Sequence, residues 1–259
     1  MTDSHGRASR ASTWSPGYRE WLPDRSLRAA IACLWVSVTP PEGPVAAAEV
    51  MPDGCTDLIW QRGRGTFVAG PDTKPAPTDL QPGTILVGAR FWPGAGGPAL
   101  GWCLADLRDL RVDAADVMPG RRASRLAADL TPDAALDTMT VLTAELVSAA
   151  PPDKLVLTAA ALLASRATGL SGLGTALGVS ERQLRRRFDV AVGYGPKTLQ
   201  RILRFRRVLD QLAATSPAPD LANLAIRAGY ADQAHLTRET TRLAGRPPAA
   251  LARSLTARQ

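Results

Sequence analysis

The sequence is short of the residues that most often carry chemistry. Among its 259 residues are three cysteines and two histidines. Three thiols, none in a CxxC pair, build no disulfide framework, which suits a reducing compartment. The histidines, His5 and His235, leave no material for a Ser/His/Asp or Cys/His arrangement, and no HExxH or Walker A pattern occurs. The run Gly94-Ala95-Gly96-Gly97-Pro98-Ala99 matches the dinucleotide pattern GxGxxA in form. Pro93, Pro98 and the lack of an alternating βαβ context read it as a turn. No apolar run approaches the ~18 residues of a membrane span. The stretch Met1 to Ser15 is polar, with no signal-peptide core. The expectation is a cytoplasmic protein with a flexible tail over 1–15, no membrane association, no enzyme activity and no cofactor.

What the sequence does contain is ordinary for a globular protein, 45% apolar and 21% charged, enough for one large domain or two modest ones. The net charge of +7 is unevenly placed. Residues 1–120 hold 11 Lys+Arg and 13 Asp+Glu, whereas 151–259 hold 17 and 7. The whole basic excess lies in the last 109 residues, as expected of a polyanion-binding domain joined to a neutral one.

Other residues divide along the same line. All six tryptophans and all three cysteines fall in the first 120 residues. There, Gly and Pro separate short β-branched and aromatic runs at Leu34 to Val38, Thr56 to Trp60, Thr66 to Ala69 and Thr84 to Trp92. Helical spacing takes over at Arg122 to Leu130 and Ala134 to Ser148, with Thr131-Pro132-Asp133 between them and Pro151-Pro152 as the next stop. The predicted fold class is α+β. A β-rich domain over 16–150, barrel or sandwich-like with trailing helices, serves regulation or dimerisation, and an all-α domain occupies 151–259.

The basic half contains a degenerate repeat. One copy runs Leu173 to Ser180, then Leu184, Arg187-Phe188, Gly193 and Pro196; the other runs Leu224 to Asp232, then Leu236, Glu239-Thr240, Gly245 and Pro248. In each, a glycine (Gly178, Gly229) closes a short helix and an N-cap residue (Ser180, Asp232) opens the next, with Gln183 completing a capping box. Leu184, Phe188 and Val192 fall on the inward face, leaving Arg182, Arg185 and Arg186 outward. In the second copy Leu236 and Leu243 point inward, with Gln233, Ala234, Thr237 and Arg238 outward. Pro196 to Ala214 reads as one amphipathic linker helix striped by Leu199, Ile202, Leu203, Val208, Leu209 and Leu212. Its ~27 Å length suits two helix-turn-helix units set about one DNA turn apart.

The stretches Gly178-Val179-Ser180-Glu181-Arg182-Gln183-Leu184-Arg185-Arg186-Arg187-Phe188, Gly193-Tyr194-Gly195-Pro196, Arg204-Phe205-Arg206-Arg207, Ala225 through Ala228-Gly229-Tyr230-Ala231-Asp232-Gln233-Ala234-His235-Leu236-Thr237-Arg238-Glu239, and Gly245-Arg246-Pro247-Pro248 resemble the DNA-binding domain of AraC/XylS-family transcription regulators. The resemblance covers roughly 155–255. It implies a regulator whose outward helix positions enter adjacent major grooves: Arg182, Arg185 and Arg186, then Gln233, Ala234, Thr237 and Arg238, with Ser180 at the helix start. Arg suits guanine and Gln suits adenine. Arg187, beside core Phe188, is expected to pair with an acid or touch the backbone, and His235 to serve helix packing or a phosphate. A departure is Thr240, where the family pattern has a core Phe.

In the first half, Met51-Pro52-Asp53-Gly54-Cys55-Thr56-Asp57-Leu58-Ile59 and Val87-Gly88-Ala89-Arg90-Phe91-Trp92-Pro93-Gly94 resemble segments of an uncharacterised domain of AraC-like regulators. Family members usually carry a ligand-binding or dimerising domain at this place. The expected partners are therefore duplex DNA, a small-molecule effector, a second copy of the chain and RNA polymerase. Arg90, Trp60, Trp92 and Cys55 are the candidate effector residues. Arg90 holds an anion or pairs with Asp53 or Asp57, and the tryptophans line an apolar pocket or fill core. The alternative is a thiol or metal sensor using Cys33, Cys55 and Cys103, or a methyl-accepting cysteine.

Overall fold

The computed structural model describes residues 14–118, 121–165, 170–214 and 220–256. His5 and all but the last two residues of the expected tail lie outside them. Among the described residues of the first half, eight strands form: β1 (Gly17–Trp21), β2 (Ile31–Val38), β3 (Ala46–Val50), β4 (Thr56–Gln61), β5 (Gly65–Ala69), β6 (Ala76–Leu80), β7 (Ile85–Phe91) and β8 (Arg111–Asp113). Six make an antiparallel sheet in the order β1-β2-β7-β4-β5-β8, while β3 and β6 pair as a separate antiparallel ribbon. Short helices α1 (Gly96–Leu100), α2 (Ala114–Val117) and α3 (Arg121–Ser124) lead to the long α4 (Pro132–Ala149).

Alternation along the strands gives the sheet two unlike faces. Leu34, Val36, Leu58, Trp60, Val87 and Phe91 pack against Met139, Leu142 and Leu146 of α4 to form the first core. Cys33, Trp35, Ile59, Phe67, Ala69 and Leu86 form a smaller cluster with Leu80 of the ribbon on the opposite face. Trp35 packs directly over Gly88, where an added Cβ would lie 2.2 Å from the indole. Only glycine fits beneath that ring.

The second half is entirely helical among the described residues: α5 (Lys154–Ser165), α6 (Leu170–Ala176), α7 (Glu181–Ala191), α8 (Pro196–Ala214), α9 (Leu221–Ala228), α10 (Gln233–Ala244) and α11 (Pro248–Thr256). Its core gathers Val156, Leu173, Leu184, Phe188, Leu236 and Leu251 around α8. The α8 stripe differs from the expected one. Phe205, fully buried, is its largest member, while Leu203 and Leu209 are half-buried. Each fully buried side chain of this size contributes about 1.5–3 kcal/mol.

No single helix among the described residues is long and apolar enough to cross a membrane. The apolar side of α4 is spent on the first core.

Candidate nucleic-acid interface

Both repeat units fold as helix, turn, helix, and the turn chemistry explains why. Gly178 (φ 65°) and Gly229 (φ 89°) take the left-handed conformation that ends α6 and α9, where a side chain would be strained. Ser180 then opens α7 with a complete capping box: its hydroxyl accepts from the Gln183 backbone N–H, and the Gln183 side chain accepts from the Ser180 N–H. The hydroxyl is therefore committed to the helix start, so Ser180 positions α7. Asp232 opens α10 by accepting from the His235 N–H at 2.6 Å.

Leu184 and Phe188 anchor the inner side of α7. Opposite them, Arg182, Arg185 and Arg186 are exposed and line one shallow depression with Gln183 and Asp189. Arg185 faces Asp189 one turn on, 3.9 Å away, while Arg182 and Arg186 make no ion pair among the described residues. Arg187 leaves this face for a 2.7 Å bond to Asp153. The sequence places the three arginines on one surface because they sit at i, i+3 and i+4.

On α10, Gln233, Ala234 and Arg238 are exposed and Thr237 half-buried. Thr237 donates its hydroxyl proton to the Gln233 carbonyl, so it offers a further partner a methyl and an acceptor. His235 sets its ring edge-on to Tyr230, 5.2 Å between centroids. The linker helix ties the units together. Arg201 pairs with both carboxylate oxygens of Glu239 on α10, and Arg207 donates to the Leu163 and Ala164 carbonyls ending α5.

Thr240 is fully buried, and its hydroxyl has no hydrogen-bond partner among the described residues. A buried orphan hydroxyl costs about 1–3 kcal/mol. Thr240→Val keeps the shape and removes that cost, so its thermal midpoint should rise by roughly 2–4 °C per kcal/mol gained. An unchanged or lower midpoint in a calorimetric scan would show that the hydroxyl is satisfied.

The effector candidates do not converge. Arg90 and Asp57, directly opposite on β7 and β4, lie on the sheet face away from the first core. Asp57 accepts from Arg90 Nε at 3.2 Å and from Trp35 Nε1 at 2.7 Å, and Asp53 approaches Arg90 Nε at 3.6 Å. Trp60 instead fills the first core on the other face and donates its indole N–H to the Ala127 carbonyl at 2.8 Å. Trp92 is 44% exposed just past the end of β7, donating to the Arg28 carbonyl. Strand alternation separates Trp60 from Arg90, because an even residue of β4 faces opposite to the odd Asp57.

Burial pushes the Cys33 thiol up to about 11 and holds the Cys55 thiol well above its ordinary value. Both are therefore poor thiolates. Cys103 is half-buried, its Sγ 3.8 Å from the Asp189 carbonyl. No group of three or more His, Cys, Asp or Glu side chains able to hold a metal ion occurs among the described residues.

Burial also raises the Asp57 carboxyl to about 6, against the opposing pull of Arg90. A carboxyl raised on folding adds stability while protonated in both states, and that contribution is lost as the pH climbs through its folded value. Wild type and Asp57→Asn should match near pH 4. By pH 7 the variant should have gained stability relative to wild type. Urea unfolding across that window checks this, and a constant difference between the two proteins would refute it.

Residues 19–113 match a domain of unknown function (DUF6597), and residues 173–254 match a helix-turn-helix domain. No curated protein matches the chain. Among solved structures, it is similar to ToxT from Vibrio cholerae O395, with 9% identity, a TM-score of 0.45 and coverage of 85% of this chain and 96% of that one. It is likewise similar to unsaturated fatty acid bound wild-type ToxT from Vibrio cholerae strain SCE256, with 12% identity, a TM-score of 0.43 and coverage of 86% and 95%. The chain thus carries an N-terminal DUF6597 domain and an AraC-type helix-turn-helix domain, the DNA-binding part of transcription regulators.

Proposed function

We propose that this protein is a sequence-specific transcription regulator that sets α7 and α10 into adjacent major grooves and is controlled through its N-terminal domain by a small molecule. The observation that carries the DNA reading is the outward face of α7: three exposed arginines on a helix anchored by Leu184 and Phe188 and fixed at its start by a capping box. The arginines read base edges, and Gln233 and Arg238 read from α10, whose smaller outer side chains leave more of the second contact to DNA shape. We divide the chain at about residue 151, with regulation before it and DNA binding after it. A small molecule would act at the polar cluster of Arg90, Asp57 and Asp53, reached from the open side of the guanidinium, which is 23% exposed. Pairing of two copies and contact with RNA polymerase belong to the same reading.

Selection of bound duplexes from a random pool tests it. The expected product is an asymmetric site whose two conserved blocks lie about one helical turn apart, the block under α7 being the more strongly specified. Recovery of unselected sequence, with binding that falls steeply with salt for every duplex alike, would leave only a phosphate-binding protein.

A further inference from the structure

The two halves meet along a seam that the sequence pattern does not announce. At four places glycine permits the close approach. An added Cβ would lie 2.6 Å from the Val190 carbonyl at Gly97, 2.6 Å from the Pro71 ring at Gly193, 2.9 Å from Leu199 at Gly54, and 2.9 Å from Val156 at Gly94. The GxGxxA run is thereby explained. Gly97 lies in α1 and lets the C-terminal end of α7 rest on the N-terminal half.

One segment of the N-terminal half, Glu49 to Asp57, touches the helical half at several points. Glu49, in β3, pairs with Arg246 after α10 at 2.7 Å. Met51 packs against the second core. Asp53 accepts from the Cys55 N–H at 2.8 Å, closing a tight turn, and its other oxygen faces Arg90. Gly54 (φ 89°) presses on Leu199 of α8 and lies near the phenol of Tyr194, the residue between α7 and α8. Asp57 then completes the ion cluster. The closed seam also leaves the Tyr194 hydroxyl and Arg246 Nε buried without hydrogen-bond partners among the described residues. Water would satisfy both on opening, so the closed seam is held by contact and carries a standing polar cost.

We propose that Glu49–Asp57 is the coupling segment of this protein, with Asp53 as a positioning residue. The Asp53–Arg90 pair fixes the 53–55 turn, and that turn fixes the start of the linker helix and so the placing of the two helix-turn-helix units. A ligand that draws Arg90 away from Asp53 releases the turn. The path is a run of direct contacts through one packed segment. Its DNA arm rests on the proposed regulator reading; its conformational arm does not.

The test uses the full-length chain with Asp53→Asn, which keeps the turn's acceptor and removes only the charge facing Arg90, and Gly54→Ala, which strains the turn and crowds Leu199. Hydrogen exchange is followed at residues 193–199, and binding is measured on the selected duplex and on duplexes with the block spacing changed. Exchange at 193–199 should quicken about threefold in Asp53→Asn and about tenfold in Gly54→Ala. Affinity for the selected spacing should fall in the same order, while affinity for unselected DNA holds. Should Gly54→Ala fail to fold, Asp53→Asn carries the test by itself. Unchanged exchange at 193–199 in the folded variants overturns the coupling whatever the DNA result. Quickened exchange in a protein that selects no sequence overturns the regulator reading and leaves the coupling standing.

Discussion

Arg186→Ala should lower affinity for the selected duplex by about 1–3 kcal/mol and relax the preference at one base pair while leaving the others as they were. The size follows from geometry. Arg186 lies on the outward face of α7 across from Phe188, exposed, and makes no ion pair with the protein among the described residues, so its fork is free for a guanine edge. Arg182 likewise makes no ion pair among the described residues, and a second substitution there should relax a neighbouring base pair. Arg185 faces Asp189 at 3.9 Å and must give up that contact to reach DNA, so its loss should cost less. Binding measured on a set of single-base variants at two or more salt concentrations decides the matter. A uniform loss on every sequence, with the salt slope reduced by about one, would make Arg186 a phosphate contact.

The helical half was legible where turns and caps mark its elements, less so at α5 and α11, and local chemistry explains the difference. Gly178, Ser180 and Gln183 specify an end and a start within six positions, and the linker helix runs from Pro196 to Ala214 as the apolar spacing indicates. Even there, Phe205 escaped the stripe because it lies among arginines, and nothing in the spacing marks Arg201 as the clamp on Glu239. The strands that were legible, β2, β4, β5 and β7, are the ones with apolar or β-branched runs. The others lacked that signal. β3 is alanine-rich, a composition that favours helix, and β6 carries Pro77, tolerated because its ribbon has only one partner strand.

The candidate site shows the same limit. The pairing of Arg90 with an Asp was readable, since a guanidinium in an apolar strand needs an acid. The separation of Trp60 from it required the register of β4 against β7, which sets Asp57 opposite Arg90 and so turns Trp60 to the other face. The seam was not readable at all. Gly54, Gly94, Gly97 and Gly193 are spread over 140 residues and carry no mark of what they touch. Glycine in sequence announces conformational freedom, and close approach between distant segments is visible only once both sides are placed.

The largest stability effect is expected at Phe188. This ring is fully buried at the centre of the first helix-turn-helix unit, between Leu184 and the linker helix. Phe188→Ala should cost about 3–5 kcal/mol, the loss of its burial plus that of the cavity left behind. The repeat makes the number informative, because the matching place in the second unit holds Thr240, also fully buried and already small. The two substitutions should therefore move in opposite directions: Phe188→Ala downward by several kcal/mol, Thr240→Val upward by about one. The consequence for DNA binding differs too. Phe188 sits one turn beneath Arg185 on the helix that also abuts α1, so collapse of its site would tilt α7 and disturb the seam at Gly97 together. Urea unfolding of the two variants, with hydrogen exchange along α1, reads both effects. If Phe188→Ala costs under about 1 kcal/mol, the first unit does not depend on its ring and the repeat is not asymmetric in the way its buried residues imply.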